Sequence, residues 1–132
     1  MYKNILVPVD LAHKDAAKEM IELARSVGEV GAKITVLHAV PEIPNYLTAE
    51  IPANIMNNRI ESVEEELEAM ADGEDTRVCS GPPARGILNA AEKEGHDLIV
   101  IASHQPGLRD YLLGSTAARV VRYAKCSVLV MR

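Results

Sequence analysis

The chain contains no tryptophan and no phenylalanine, and four tyrosines bring the aromatic share to only 3%. Proteins that hold single-stranded nucleic acid stack bases on aromatic rings, so that class is disfavoured. Cysteine is almost as scarce. Cys79 and Cys126 stand far apart, in no CxxC or zinc-type spacing, which argues against a disulfide-built miniprotein and leaves two reduced thiols as the expectation. Long apolar runs are missing too: stretches such as Leu98-Ile99-Val100-Ile101-Ala102 are far short of the ~20 residues that cross a bilayer. Met1-Tyr2-Lys3-Asn4 leads directly into a strand-like segment with no signal-type apolar stretch, so a cytoplasmic location without a membrane partner is expected. Positive charge is in deficit, with Lys+Arg 14 against Asp+Glu 19 and a net charge of −5, which disfavours duplex binding; no nucleic-acid partner is expected.

Several catalytic signatures are also absent. No G-x-x-x-x-G-K-[ST] occurs, no G-x-G-x-x-G follows the first strand, and no G-x-S-x-G is present. These absences argue against a P-loop NTPase, a dinucleotide-binding enzyme and a hydrolase of the nucleophile-elbow type.

What remains is a chain of 132 residues, 48% hydrophobic, which is the size of one domain spanning 1–132. Asn4 to Val9 is a continuous apolar run of strand length, followed by Ala16, Ala17, Met20, Ile21, Ala24 and Val27 at helical spacing, with Gly31 as the break. Lys33 to Val40 is a second strand. A Pro-rich loop from Pro41 to Asn54 follows, placed to cover a site. Met56, Ile60, Val63, Leu67 and Met70 form the apolar stripe of the next helix, whose other face carries Glu61, Glu64, Glu65, Glu66 and Glu68, and Gly73 ends it. Thr76 to Cys79 is a third strand. Gly81-Pro82-Pro83 opens a third helix packed through Ala84, Ile87, Leu88 and Ala91. Asp97 to Ala102, a helix from Ser115 to Ala124 and a strand from Ser127 to Met131 complete the order βαβαβαβαβ. Strands without polar alternation are buried on both faces, so an α/β fold is expected: a doubly wound, five-stranded parallel sheet with helices on both faces.

Ligands of such sheets sit beyond the carboxyl ends of the strands, where strand order reverses. That rule singles out Pro8, Val9 and Asp10 after the first strand, Ala39 and Val40 after the second, and Ala102, Ser103, His104 and Gln105 after the fourth. Asp10 reads equally as an acceptor for ribose hydroxyls or as a turn residue ahead of the first helix. Gly114-Ser115-Thr116 is either an ordinary helix cap or a phosphate cradle, and its place after the fourth strand favours phosphate. His104 has no partner at ligand spacing, so no metal ligand is assigned, and His38 reads as hydrogen-bonded packing inside a strand. The charge distribution is uneven. Arg109, Arg119, Arg122, Lys125 and Arg132 face Asp110 alone in residues 100–132, a local +4, so the first 99 residues carry −9. A small anionic ligand suits that third of the chain, as does a solvated last helix.

The segments NILVPVD, LHAVP and above all IASHQPGLRDYLLGSTAARVVRYAKCSVLVMR resemble the universal stress protein family, and within it the small F-type members. The resemblance implies strand order 3-2-1-4-5, a homodimer through Ser127 to Met131, and an adenine nucleotide, ATP or AMP with Mg²⁺, held with little or no turnover and no redox cofactor. Carried over by position, Asp10 would meet the ribose, the main chain at Ala39 the adenine, and Gly114, Ser115 and Thr116 the phosphates. Nucleotide-binding members usually carry Gly, two residues, Gly, nine residues, then Gly-Ser or Gly-Thr. Here Ala102 and Gln105 stand at the first two glycines, and Pro106 to Leu113 is one residue short, while Gly114-Ser115 is intact. The departure leaves a second expectation open, a dimeric interaction module with a vestigial pocket. The implied strand order sets Cys79 and Cys126 at opposite edges, four strand spacings or ~19 Å apart, beyond the reach of a disulfide.

Overall fold

The computed structural model describes residues 1–103 and 114–132. Its elements are β1 (Tyr2–Pro8), α1 (Lys14–Val27), β2 (Gly28–Val40), α2 (Asn45–Thr48), α3 (Ala53–Ala71), β3 (Asp75–Ser80), α4 (Pro83–Lys93), β4 (Leu98–Ala102), α5 (Ser115–Tyr123) and β5 (Ser127–Met131). The strands form one sheet in the order β3-β2-β1-β4-β5, all pairs parallel.

Alternation along the central strands sorts the core into two layers. Ile5, Val7, Ile34, Val36, Leu98 and Val100 point to the face covered by α1 and α3. Leu6, Leu37, Ile99 and Ile101 point to the face covered by α4 and α5. The buried stretches of β1 and β4 are therefore apolar at every position, and that of β2 at every position but Thr35, which is why they read as hydrophobic runs. The helix ends follow from local chemistry. Pro82 is the N-cap of α4 with Pro83 as its first residue, where a missing N–H leaves nothing unsatisfied. Asp72 and Gly73 close α3 in the left-handed region.

Three expectations need correction. The second strand begins at Gly28 rather than Lys33, because Tyr2 pairs with Gly28 and Asn4 with Lys33, leaving the extra residues in a bulge where Gly31 adopts φ +82°. The segment between β2 and α3 is not all loop: it contains the short α2, and α3 starts before Asn54. Ile60 belongs to no core stripe. It is 44% exposed, since only the last turns of α3, at Leu67, Met70 and Ala71, lie over the sheet.

Both cysteines are free: Cys79 lies on the edge strand β3 and Cys126 beside the other edge strand, β5. Among the described residues no helix is long and apolar enough to cross a membrane.

Candidate functional site

Strand β1 lies between β2 and β4, so the carboxyl ends of all three open at one place. Pro8 pairs with Leu37, and the Val9 N–H extends the ladder by one bond to the Leu37 carbonyl at 2.8 Å. There the chain leaves the sheet. The Asp10 carbonyl accepts from the His13 N–H at 2.9 Å, and one carboxylate oxygen, Oδ1, accepts from the Ala12 N–H at 2.9 Å. Asp10 is thus a turn residue ahead of α1, as one of its two readings had it. Its other oxygen, Oδ2, faces His13 Nε2 at 3.8 Å on a side chain that is 51% exposed. It is positioned to accept a hydroxyl bond from outside the turn. His13 was missed in the sequence, although its place three residues after Asp10 was the available signal.

On β2, the backbone bonds divide by parity. The Leu37 carbonyl turns toward β1 and the Val40 carbonyl toward β3, where it accepts from the Gly81 N–H at 3.0 Å. Ala39 shares the parity of Leu37, so its N–H and carbonyl face the side of β1, past the point where β1 ends. The Val9 carbonyl lies on that side and accepts instead from His38 Nδ1 at 3.0 Å. The Ala39 peptide groups have no partner on the β1 side among the described residues, whereas the carbonyl of Val40 is occupied.

On β4, Ala102 pairs with Met131, and the buried Ser103 donates its N–H to the Met131 carbonyl at 2.8 Å. The Ser103 carbonyl accepts from the Gly114 N–H at 2.6 Å. This bond sets the start of α5 beside the end of β4. Gly114 is the N-cap, extended at φ −62° and ψ 159°, with no side-chain cap. The first helical bond runs from Ala118 to Gly114, so the Ser115 and Thr116 N–H groups have no acceptor among the described residues. The ordinary side-chain cap is therefore not realised. Two open donors stand at the positive end of a helix dipole, an arrangement that suits an anion. His104 and Gln105 lie outside the described residues.

The model of the universal stress protein family matches residues 1–132. The chain belongs to the universal stress protein family. It is 35% identical over 139 residues, with both chains fully covered, to the universal stress protein in the QAH/OAS sulfhydrylase 3′ region of Thermus aquaticus. Among solved structures it is similar to the hypothetical protein MJ0577, with a TM-score of 0.79 and 26% identity over 99% of this chain and 96% of the other. Its fold is also shared with a universal stress protein in complex with cAMP, at TM-score 0.62 and 22% identity over 99% and 97% of the two chains. A universal stress protein of Archaeoglobus fulgidus in complex with dAMP has TM-score 0.59 and 19% identity over 99% and 98%.

The substitution of Ala102 for the usual glycine of the universal stress protein loop carries no backbone strain. Among described non-glycine residues only Asp72 has positive φ, so Ala102 sits where any L-residue is at ease. The donor set fits a nucleotide: open N–H groups for phosphate, an outward carboxylate oxygen for a hydroxyl, and an open peptide edge for a base. Among the described residues no three His, Cys, Asp or Glu converge.

Proposed function

We propose that this chain is a cytoplasmic stress protein that binds an adenine nucleotide, ATP or AMP, at the carboxyl ends of β1, β2 and β4 and turns it over slowly or not at all. The observation that carries the reading is the bond from the Gly114 N–H to the Ser103 carbonyl, which brings the open Ser115 and Thr116 N–H groups to the end of β4. Phosphate binds there through charge-assisted hydrogen bonds. Asp10 Oδ2 accepts from the ribose, and the Ala39 peptide edge meets the adenine. Pro8, Val9, Val40, Ala102 and Ser103 form the floor, with His104 and Gln105 assigned by position alone. The nucleotide complexes of the two similarly folded universal stress proteins support an adenine nucleotide as the ligand class. Main-chain recognition at three of the contact points explains how such a site tolerates side-chain drift at positions 102 and 105.

The protein works as a homodimer in this reading. Among the described residues β5 pairs only with β4, and Val128, Leu129, Val130 and Met131 are half-buried. A second copy of β5 satisfies both edges at once.

Calorimetry with ATP and AMP tests the site on wild type, Asp10→Ala and Ser115→Ala. Asp10→Ala removes one polar contact and is expected to weaken binding by about tenfold to a hundredfold. Ser115→Ala keeps the backbone donor and is expected to weaken binding by less than Asp10→Ala. No binding at millimolar nucleotide would reject the reading and favour a dimeric interaction module with a vestigial pocket, the alternative suggested by the altered loop.

A further inference from the structure

His38 stands one residue before the peptide assigned to the adenine and makes a bond that a parallel ladder does not call for. In regular continuation of the β1–β2 pairing, the bond from the Val9 N–H to the Leu37 carbonyl is followed by one from the Ala39 N–H to the Val9 carbonyl. The first is present at 2.8 Å. The second is not formed among the described residues, and the Val9 carbonyl accepts instead from His38 Nδ1 at 3.0 Å. A carbonyl only accepts, so the ring carries a proton on Nδ1. The side chain has taken the place of the backbone donor next to it.

We propose that His38 is a positioning residue that keeps the Ala39 N–H open for the base of a bound nucleotide. The assignment of the base rests on the function proposed above; the placement of the Ala39 N–H does not. A strand that continued its ladder would spend this N–H on Val9 and close the edge. By occupying the Val9 carbonyl, the imidazole satisfies that acceptor without consuming the backbone donor. The same bond fixes the Val9–Asp10 peptide from which the Asp10 carboxylate projects. One side chain thereby orients two of the contacts assigned to the nucleoside.

The imidazole bond has a mimic. The side-chain amide of asparagine places its nitrogen where Nδ1 of histidine lies, and leucine fills the space with no donor. His38→Asn is therefore expected to preserve the arrangement. His38→Leu frees the Val9 carbonyl, which then recaptures the Ala39 N–H.

Amide hydrogen exchange at Ala39, followed by NMR without ligand, reads this directly. In wild type and His38→Asn the Ala39 amide should exchange at least about tenfold faster than the neighbouring ladder amides. In His38→Leu it should become protected to their level. With ATP added, the wild-type amide should become protected, and His38→Leu should bind ATP about tenfold more weakly while His38→Asn stays within about threefold. A general loss of stability would slow or speed many amides together and would not be rescued by asparagine. A protected Ala39 amide in the ligand-free wild type, a measurement that needs no variant, would overturn the proposal, as would unchanged ATP affinity in His38→Leu. If the exchange pattern appears as expected and wild type binds no nucleotide, His38 keeps its role in the backbone and the nucleotide reading falls.

Discussion

Gly86 lies on the inner side of α4, where the helix crosses β3, and one added methyl group there probes how closely the two elements pack. A Cβ at this position would stand 2.5 Å from Cys79 Sγ and 3.5 Å from Cys79 Cβ. The first distance is a collision and the second an ordinary contact, so the thiol alone sets the limit. Two terms oppose each other in Gly86→Ala. Alanine is the better helix former by about 1 kcal/mol. Forcing the thiol to rotate or α4 to lift costs about 1–3 kcal/mol. A net loss of about 1 kcal/mol is expected in the wild-type background. In a Cys79→Ala background the obstacle is gone, and Gly86→Ala should stabilise by about 1 kcal/mol. The coupling between the two sites is then about 2 kcal/mol, well above the ~0.5 kcal/mol within which independent sites add. Urea unfolding of the four proteins measures it. Each kcal/mol should also appear as about 3–5 °C in the thermal midpoint of a domain this size. An equal effect of Gly86→Ala in both backgrounds, or a gain in the wild type, would refute the argument that Cys79 fixes the approach of α4.

Three further perturbations test other parts of the fold. His96 is buried, neither ring nitrogen makes a well-aligned hydrogen bond among the described residues, and burial lowers its pKa, offset in part by the nearby Ala90 carbonyl and Glu94. The unfolded chain therefore takes up this proton first, so stability should fall as pH drops below about 6.5; His96→Leu should remove that slope, and a slope unchanged in the variant would contradict the assignment. Thr35 is fully buried and its hydroxyl has no partner among the described residues, so Thr35→Val should stabilise by about 1 kcal/mol in chemical denaturation, and a clear loss would mean that the hydroxyl has a partner after all. Asp97 accepts from the Lys3 N–H at 2.9 Å and the Asn4 N–H at 3.0 Å; although burial pushes the other way, these bonds hold its pKa below the usual carboxylate value. Asp97→Ala should cost about 1–2 kcal/mol at neutral pH, and the wild-type advantage should disappear as the carboxylate protonates in acid; a difference that persists at pH 2 would assign the effect to packing.

Much of the architecture is written in local spacing. The unbroken apolar runs at Ile5 to Val9 and Leu98 to Ile101 announce strands covered on both faces, because a strand with one wet face must alternate. Gly81-Pro82-Pro83 announces the start of α4, because proline fixes its own φ and needs no acceptor. The element order follows from such signals, and so does the zone in which a site must lie. The periodicity of α3 was equally clear but did not say which turns would meet the sheet, and Ile60 proved exposed because the helix overhangs it. Periodicity names a face; only the packed neighbours decide whether that face is covered.

The site divides in the same way. Gly114-Ser115-Thr116 and Asp10 were legible as polar groups at the carboxyl ends of β4 and β1, which is where they lie. The pairing of their individual atoms was not legible. Asp10 has one oxygen committed to the Ala12 N–H and the other facing His13, and a histidine ring has taken the Val9 carbonyl beside Ala39. Sequence determines which groups the chain carries. Which of them remain unpaired is settled by bonds between segments distant along the chain, such as Val9 to Leu37 and Ser103 to Gly114, and those form only when the sheet does.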